Sequence, residues 1–205
     1  MTTDVDRVRG RGRPRQFDEE QVLDTLLELF WDEGFEAASM ADIAEATGLN
    51  KSSLYNTFGS KDELFYRVLE RYIDVRQRIL AETLGAEGTL EVLGLFLDLM
   101  RMEIDGESGA RGCLAVNSST ELGPRDDRIA GLSDRYRGVL ASAVRPPLER
   151  AAAAGEIDAG LVDVYTDTFV ALAVALSVAA RSGMSREDLH RQIDSMGRLV
   201  DSWRC

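Results

Sequence analysis

The stretch that decides the fold is SMADIAEATGLNKSSLYNTFGSK, residues 39–61. Ser39 can cap a short amphipathic helix, and Gly48 ends that helix in a tight turn. Asn50 can cap a second short helix over residues 51–58. Two short helices joined by a glycine-containing turn are the helix-turn-helix plan, in which the second helix enters the major groove of DNA.

Apolar periodicity predicts further helices on both sides of this stretch. Upstream, Asp18 can cap an amphipathic helix that ends at Gly34. Downstream, Ser60 and Glu63 have the spacing of a capping box and open a long helix that ends near Gly85. The apolar face of that long helix is predicted to comprise Leu64, Val68, Leu69, Tyr72, Val75 and Ile79.

The rest of the chain also has helical periodicity and contains no strand pattern of useful length. Five more helices are predicted, over about residues 88–104, 112–122, 126–154, 158–181 and 185–203. Pro146-Pro147 falls inside the third of these and should kink or split it. The sequence therefore predicts an all-α fold, with a domain division near residues 60–65 and no flexible linker there.

Composition excludes several classes of protein and site. The chain has one histidine, His190, and no CxxC pair, which argues against a metal centre, a Ser-His-Asp triad and a bound cofactor. Its two cysteines, Cys113 and Cys205, fit a reducing cytoplasm better than a disulfide-stapled secreted fold. The most apolar run, residues 168–180, is predicted to be too short to span a membrane and to lie in a core or an interface.

Positive charge is concentrated in two places in this acidic chain, whose net charge is −12. Residues 7–15 contain five arginines and no acid, and residues 46–61 contain Lys51 and Lys61 and no acid. Electrostatic contact with DNA is local, because screening limits it to about 10 Å. Arg11 to Pro14 also read Arg-Gly-Arg-Pro, a sequence suited to an extended arm in a narrow minor groove. A solubilising tail is the alternative reading of this arm.

Residues 40–69, which read MADIAEATGLNKSSLYNTFGSKDELFYRVL, are similar to the signature of a known family. This segment resembles the DNA-binding signature of TetR-type (TetR/AcrR) transcriptional regulators, and the likeness covers about residues 17–70. It implies an all-α homodimer with about nine helices per chain. The implied domains are a flexible basic arm (1–16), a three-helix helix-turn-helix domain (17–62) and a larger helical ligand-binding and dimerisation domain (63–205).

The function implied by the resemblance is that of a ligand-responsive, sequence-specific regulator of transcription, without enzymatic activity and in the cytoplasm. The expected form is a repressor that a small molecule releases from a palindromic double-stranded DNA operator, and an activator is the first alternative. An enzyme with a helical core and a non-specific nucleoid protein remain as competing classes. The expected DNA contacts are Arg11, Arg13, Arg15, Ser39, Lys51, Ser52, Ser53, Tyr55, Asn56 and Lys61.

The second domain is predicted to bind the small molecule and to dimerise through the last two helices, over residues 161–180 and 189–203. Candidate ligand-binding residues are Phe96, Met100, Cys113, Asn117, Tyr136, Tyr165 and Phe169. The Gly112-Cys113 pair resembles a subgroup of the family in which the cysteine senses electrophiles or oxidants, and Arg111 would favour the thiolate. A buried, inert thiol remains the competing interpretation.

Overall fold

The computed structural model describes residues 17–85, 87–106 and 109–205, and within these ranges the chain forms nine α-helices and no strand. Short 3₁₀ helices at Gly109–Arg111 and Ala159–Leu161 precede two of the α-helices. The α-helices are α1 (Glu19–Glu33), α2 (Met40–Thr47), α3 (Lys51–Phe58), α4 (Lys61–Leu84), α5 (Leu90–Asp105), α6 (Leu114–Leu122), α7 (Asp127–Ala153), α8 (Val162–Arg181) and α9 (Arg186–Asp201). The all-α prediction is confirmed for this part of the chain.

Local hydrogen bonds fix the two short helices at their predicted ends. Ser39 Oγ accepts from the backbone N–H of Asp42, and the Asp42 carboxylate accepts from the backbone N–H of Ser39, which completes a capping box. Gly48 ends α2 in the left-handed region, at φ +67°. Asn50 Oδ1 then accepts from the backbone N–H of Ser53, 2.8 Å away, and starts α3.

Aromatic packing joins the three N-terminal helices to the first long helix. Phe30 of α1 meets Phe65 of α4 edge to face, with ring centroids 4.9 Å apart, and both rings are buried. Leu54 and Phe58 of α3 are buried in the same core. The helix-turn-helix therefore packs directly against α4, and only Gly59 and Ser60 separate α3 from α4.

The buried face of α4 differs from the one that periodicity predicts. Val75 and Ile79 are only half-buried, whereas Ile73, Leu80 and Leu84 are buried. The apolar stripe drifts around the helix because α4 packs against several helices, namely α1, α5, α6 and α7.

Helix α7 is the centre of the larger domain and contacts α4, α5, α6 and α8. Pro146-Pro147 is predicted to kink or split this segment, and a split is wrong, since α7 is one continuous helix from Asp127 to Ala153. Both prolines lack an N–H and remove one helical hydrogen bond each. Burial of Val144, Leu148 and Ala151 on either side of them holds the helix together.

Helix α8 is longer and more apolar than the run of residues 168–180 indicates. Ala159–Arg181 has a mean hydropathy of 1.7 in its most apolar window and is long enough to cross a membrane, so the length argument against a span is wrong. A single helix of this kind is weak support for a membrane protein. Only 28% of that window is buried within the chain, which leaves an apolar surface to be covered.

Candidate nucleic-acid interface and internal cavity

Helix α3 presents one face to its own domain and the opposite face to solvent. Leu54 and Phe58 hold it to the core, at 0% and 2% exposure. Its other side chains point outward or lie at the edge, and Tyr55 is 50% exposed. The predicted contact residues on this exposed side are Lys51, Ser52, Ser53, Tyr55 and Asn56.

The first turn of α3 offers hydrogen-bond donors to an approaching anion. The backbone N–H groups of Lys51 and Ser52 lie at the helix N-terminus, where helix geometry supplies no acceptor. No acidic residue lies in that turn, so the positive end of the helix dipole is not neutralised there. This end of α3 can therefore hold a phosphate while the exposed side chains meet base edges.

Two predicted contact residues flank α3 and have structural partners as well. Ser39 uses its oxygen lone pairs to cap α2, which leaves the hydroxyl hydrogen available to a phosphate. The Lys61 ammonium lies 4.3 Å from the centre of the Phe35 ring, at the start of α4. Arg11, Arg13 and Arg15 of the basic arm lie outside the described residues.

A partly open cavity of about 260 Å³ lies between α1 and the helices of the larger domain. Its walls come from α1, α4, α5, α6, α7 and α8 and from the segment around Gly109–Gly112. The walls are mainly apolar and aromatic, with Trp31, Phe96 and Leu140 among them. A mostly apolar cavity with a few polar groups is the usual form of a small-molecule site.

The polar groups of the cavity gather around Cys113, which is 7% exposed. The Tyr72 hydroxyl donates to Cys113 Sγ over 3.3 Å, and Tyr136 lies beside the same thiol. Burial raises the pKa of both tyrosines well above the ordinary value, so both hydroxyls keep their protons. Arg76 completes the cluster and pairs with Glu103.

The seven predicted ligand-binding residues fall into two groups. Four of them line the cavity: Phe96, Met100, Cys113 and Tyr136. Phe169 is buried behind the wall, with its ring 5.3 Å from that of Phe96. Tyr165 stacks on Trp203 at 4.4 Å, and Asn117 donates to the backbone carbonyl of Arg111. The last three residues lie outside the cavity wall.

Comparison with known proteins links these two regions to one family. The family model described as bacterial regulatory proteins, tetR family, matches residues 22–68. The HTH-type transcriptional repressor ComR of Escherichia coli (strain K12) is 32% identical over 184 residues, which is 88% of this chain and 88% of ComR. The chain belongs to the TetR family.

Two further comparisons agree with this assignment. The uncharacterized HTH-type transcriptional regulator YezE of Bacillus subtilis (strain 168) is 30% identical over 155 residues, covering 75% of this chain and 79% of YezE. A structure of a cysteine mutant of the TetR-family regulator CifR with 26-bp operator DNA superposes with a TM-score of 0.79 at 28% identity, covering 91% of this chain and 98% of that one. This TetR-family protein is a DNA-binding transcriptional regulator and not an enzyme.

In this TetR-family regulator, one residue connects the cavity with the N-terminal helices. Trp31 lies on α1 of the N-terminal helices, and its ring forms part of the cavity wall. Its indole N–H donates to the carbonyl of Gly112 over 3.0 Å. The Arg111 guanidinium lies 4.7 Å from the centre of the same ring and pairs with Glu28 and Asp32 of α1, so its charge is directed toward α1.

The C-terminal end of α1 has two more attachments to the larger domain. Arg181 at the end of α8 donates to the carbonyls of Trp31 and Asp32, over 3.1 and 3.3 Å. The Glu121 carboxylate of α6 accepts from the backbone N–H groups of Phe35 and Glu36. Any shift of α6 or α8 around the cavity therefore acts directly on α1 and on the loop that leads to α2.

Sequence reasoning missed most of the cavity wall, including three of its large or charged side chains: Trp31, Tyr72 and Arg76. A signal for Arg76 exists, because it lies four residues after Tyr72 and four before Leu80, which are both buried. A basic residue at that register of an apolar helix face indicates a polar site within the core. Trp31 gives no such signal, since its partner Gly112 is 81 residues away.

The outer surface of α8 carries exposed apolar side chains, among them Val164 at 54% and Val178 at 40%. Leu199 of the neighbouring helix α9 is 37% exposed. The TetR-family resemblance implies dimerisation through these two helices, and the surface has the composition that such an interface needs.

Proposed function

We propose that this regulator is a cytoplasmic repressor that binds a palindromic operator as a homodimer and is released by a small molecule in its cavity. The observation that carries the proposal is Trp31, because one side chain forms a wall of the cavity and is an integral part of α1. A molecule in the cavity that displaces Trp31 acts on α1, the helix on which α2 packs.

Three parts of the chain have different binding roles. The arm, residues 1–16, lies along the minor groove and places Arg11, Arg13 and Arg15 there. Residues 17–62 bind the major groove. Residues 63–205 bind the effector and the second subunit. The DNA contacts of the middle part are Ser39, Lys51, Ser52, Ser53, Tyr55, Asn56 and Lys61.

Release of the operator requires a ligand that prefers the conformation with low DNA affinity. In the dimer, two α3 helices have to fit half-sites separated by one turn of DNA, about 34–36 Å, or a multiple of it. A small rotation of each α1 changes that separation. The attachments of α1 to Gly112 and Arg181, and of the loop after α1 to Glu121, transmit movement of the cavity walls to α1.

The test is selection of bound sequences from a random pool of double-stranded DNA. We expect a palindromic sequence with two equivalent half-sites. A chain that lacks residues 1–15 should bind less tightly and lose the preference for flanking A·T pairs, while it keeps the preference for the core sequence. Transcription from a promoter carrying that sequence should then rise when the gene is deleted. An absence of sequence preference in the pool would refute the proposal, and a fall in transcription would indicate an activator.

A further inference from the structure

Asn56 lies at the centre of the outward face of α3. It comes two residues after Leu54 and two residues before Phe58, the two anchors that are buried in the core. Because an α-helix turns by about 100° per residue, Asn56 lies almost opposite both anchors. Ser52 is one turn earlier on the same side, and both side chains are exposed. When α3 enters the major groove with its buried side at the back, Asn56 therefore faces the base edges.

The amide of Asn56 is free within the part of the chain that the structure describes, where no hydrogen bond engages it. Asn50 differs, because its Oδ1 caps α3 by accepting from the backbone N–H of Ser53 over 2.8 Å. Inside a helix, asparagine is less favourable than alanine, since its side chain competes for backbone hydrogen bonds. The eight-residue helix α3 is therefore not stabilised by Asn56, and this amide is available to a molecule outside the chain.

The side chains close to Asn56 on the outward face are short. Ser52 and Ser53, one turn before it, each carry only a hydroxymethyl group. The longer side chains of Lys51 and Tyr55 lie about 100° or more around the helix from Asn56. The major groove is about 12 Å wide, so a helix with short side chains at its front can approach the base edges closely. This approach brings the short asparagine side chain within reach of a base.

The hydrogen-bonding groups of the amide decide which base fits best. Asparagine carries one acceptor group, Oδ1, beside one donor group, Nδ2. In the major groove adenine presents the complementary pair, because its N6 amino group donates and its N7 accepts. Guanine presents two acceptors there, whereas cytosine presents one donor group and thymine one acceptor. Adenine is therefore the base that can bind this amide through two hydrogen bonds.

We propose that Asn56 reads an adenine in each half-site of the operator, with Oδ1 accepting from the N6 amino group and Nδ2 donating to N7. The inference rests on the proposed function, because it takes α3 as the helix that enters the major groove of a palindromic operator.

The first test compares variants of Asn56 by selection of bound sequences from a random pool of double-stranded DNA. The unchanged chain should select a half-site in which one position is adenine. Asn56→Ala should lose the base preference at that position and keep it at the others. Asn56→Gln should retain the adenine, because glutamine carries the same amide groups. Thr57→Ala is the control, since it truncates a neighbouring side chain of α3, and it should also retain the adenine.

The second test removes the acceptor from the DNA. 7-Deazaadenine pairs with thymine as adenine does, but a C–H group replaces N7, so Nδ2 loses its acceptor. With this base at the selected position of both half-sites, the unchanged chain should bind about 10-fold more weakly or worse. The affinity of Asn56→Ala should change by less than about twofold. Thermal melts should show that Asn56→Ala is no less stable than the unchanged chain, because alanine favours the helix.

Three results would overturn the inference: a selected half-site without an adenine preference, an Asn56→Ala chain that keeps every preference of the unchanged chain, or an equal loss of affinity for the 7-deazaadenine operator in both chains. A palindromic operator found alongside any of these results would leave the proposed function intact. An unchanged chain that shows no sequence preference at all would refute both.

Discussion

The exposed face of α3 and the cavity represent two ways of building a site. The α3 face is contiguous in sequence, because eight residues supply two buried anchors and the outward side chains. The cavity draws its wall from Trp31 at one end of the chain to Ala180 near the other. A local site depends on helix caps and periodicity, whereas a distributed site depends on how all the helices pack. Trp31 connects the two indirectly, because it lines the cavity and lies on α1, which packs against α2.

The largest expected effect is the loss of operator affinity when the proposed dimer interface is disrupted, a change that touches neither the α3 face nor the cavity. Val178→Arg places a charge on the outer surface of α8, away from the cavity wall. Operator affinity should fall by about 10²- to 10⁴-fold, because one half-site alone lacks the linked second contact. Analytical sedimentation and operator titration measure both effects. Val174 is a poorer choice for this test, since it lines the cavity.

Leu95→Arg is the control for that variant. Leu95 is 46% exposed on α5, so this change also adds a charge to an apolar surface position. It should leave the chain dimeric and the operator bound. If the protein without substitutions stays monomeric at high protein concentration, the proposed dimer interface on α8 and α9 is wrong.

A second variant removes side chains from the DNA face and leaves the cavity untouched. Tyr55→Ala/Lys61→Ala should lower operator affinity by roughly 10-fold or more, and the loss of one phosphate contact should reduce the log–log salt slope by about 0.9. Because Tyr55 is exposed, its removal should change the free energy of unfolding by less than about 0.5 kcal/mol.

Arg137→Ala is the charge-matched control for the DNA face, since it removes an exposed cation from α7. Its salt slope should equal that of the unchanged chain. Unchanged operator affinity in a folded Tyr55→Ala/Lys61→Ala protein would show that α3 does not bind DNA as proposed.

A third variant tests Trp31, which connects the cavity wall with the N-terminal helices. Trp31→Phe keeps an aromatic ring in the cavity wall but removes the N–H that donates to Gly112. We expect the free energy of unfolding to fall by about 1 kcal/mol, measured by urea denaturation, because a partly buried carbonyl loses its donor. Release of the operator by a cavity ligand should weaken as well. Trp203→Phe, outside the cavity, should leave that release unchanged.

The smallest expected effect lies at a contact between α4 and the start of α7. The Tyr66 hydroxyl donates to the Asp126 carboxylate over 2.6 Å. This bond raises the pKa of Tyr66 to about 12 and lowers the pKa of Asp126 below its ordinary value. The stabilisation should be complete between about pH 4 and pH 10. It is lost as the pH falls through the native pKa of Asp126, or rises through that of Tyr66.

Tyr66→Phe should therefore lower the free energy of unfolding by no more than about 1 kcal/mol at pH 7, since both groups are largely solvated. The difference from the unchanged chain should shrink in acid below the native pKa of Asp126. Urea titrations at several pH values measure it. A difference that stays constant down to pH 2 would mean that lost packing, and not the hydrogen bond, is responsible.

The α3 face can be predicted from the sequence more completely than the cavity. Capping residues and apolar spacing predict α3 and its exposed side, because each of those signals lies within a few residues of its effect. The same reasoning finds four residues of the cavity wall but includes Tyr165 and Phe169, which have the right chemistry and face other partners. Helical spacing shows that a side chain is buried and does not show against which helix.

Two other differences have the same origin. The packed neighbours of α7 keep it helical through Pro146-Pro147, although local propensity favours a break. Arg76 interrupts an apolar stripe, and only the tertiary structure shows that it faces a cavity and the Glu103 carboxylate. Contacts between distant segments decide both cases.

Gly112 limits how this cavity can be re-engineered. Its φ is +65°, and a Cβ there would lie 2.5 Å from the carbonyl oxygen of Ser177. Any other amino acid would push the 3₁₀ segment away from α8 and disturb the carbonyl that holds Trp31. A library built to turn this regulator into a biosensor for new compounds should therefore keep position 112 fixed. Diversity belongs at positions such as Phe96, Met100 and Leu140, where the wall changes shape without severing the link to α1.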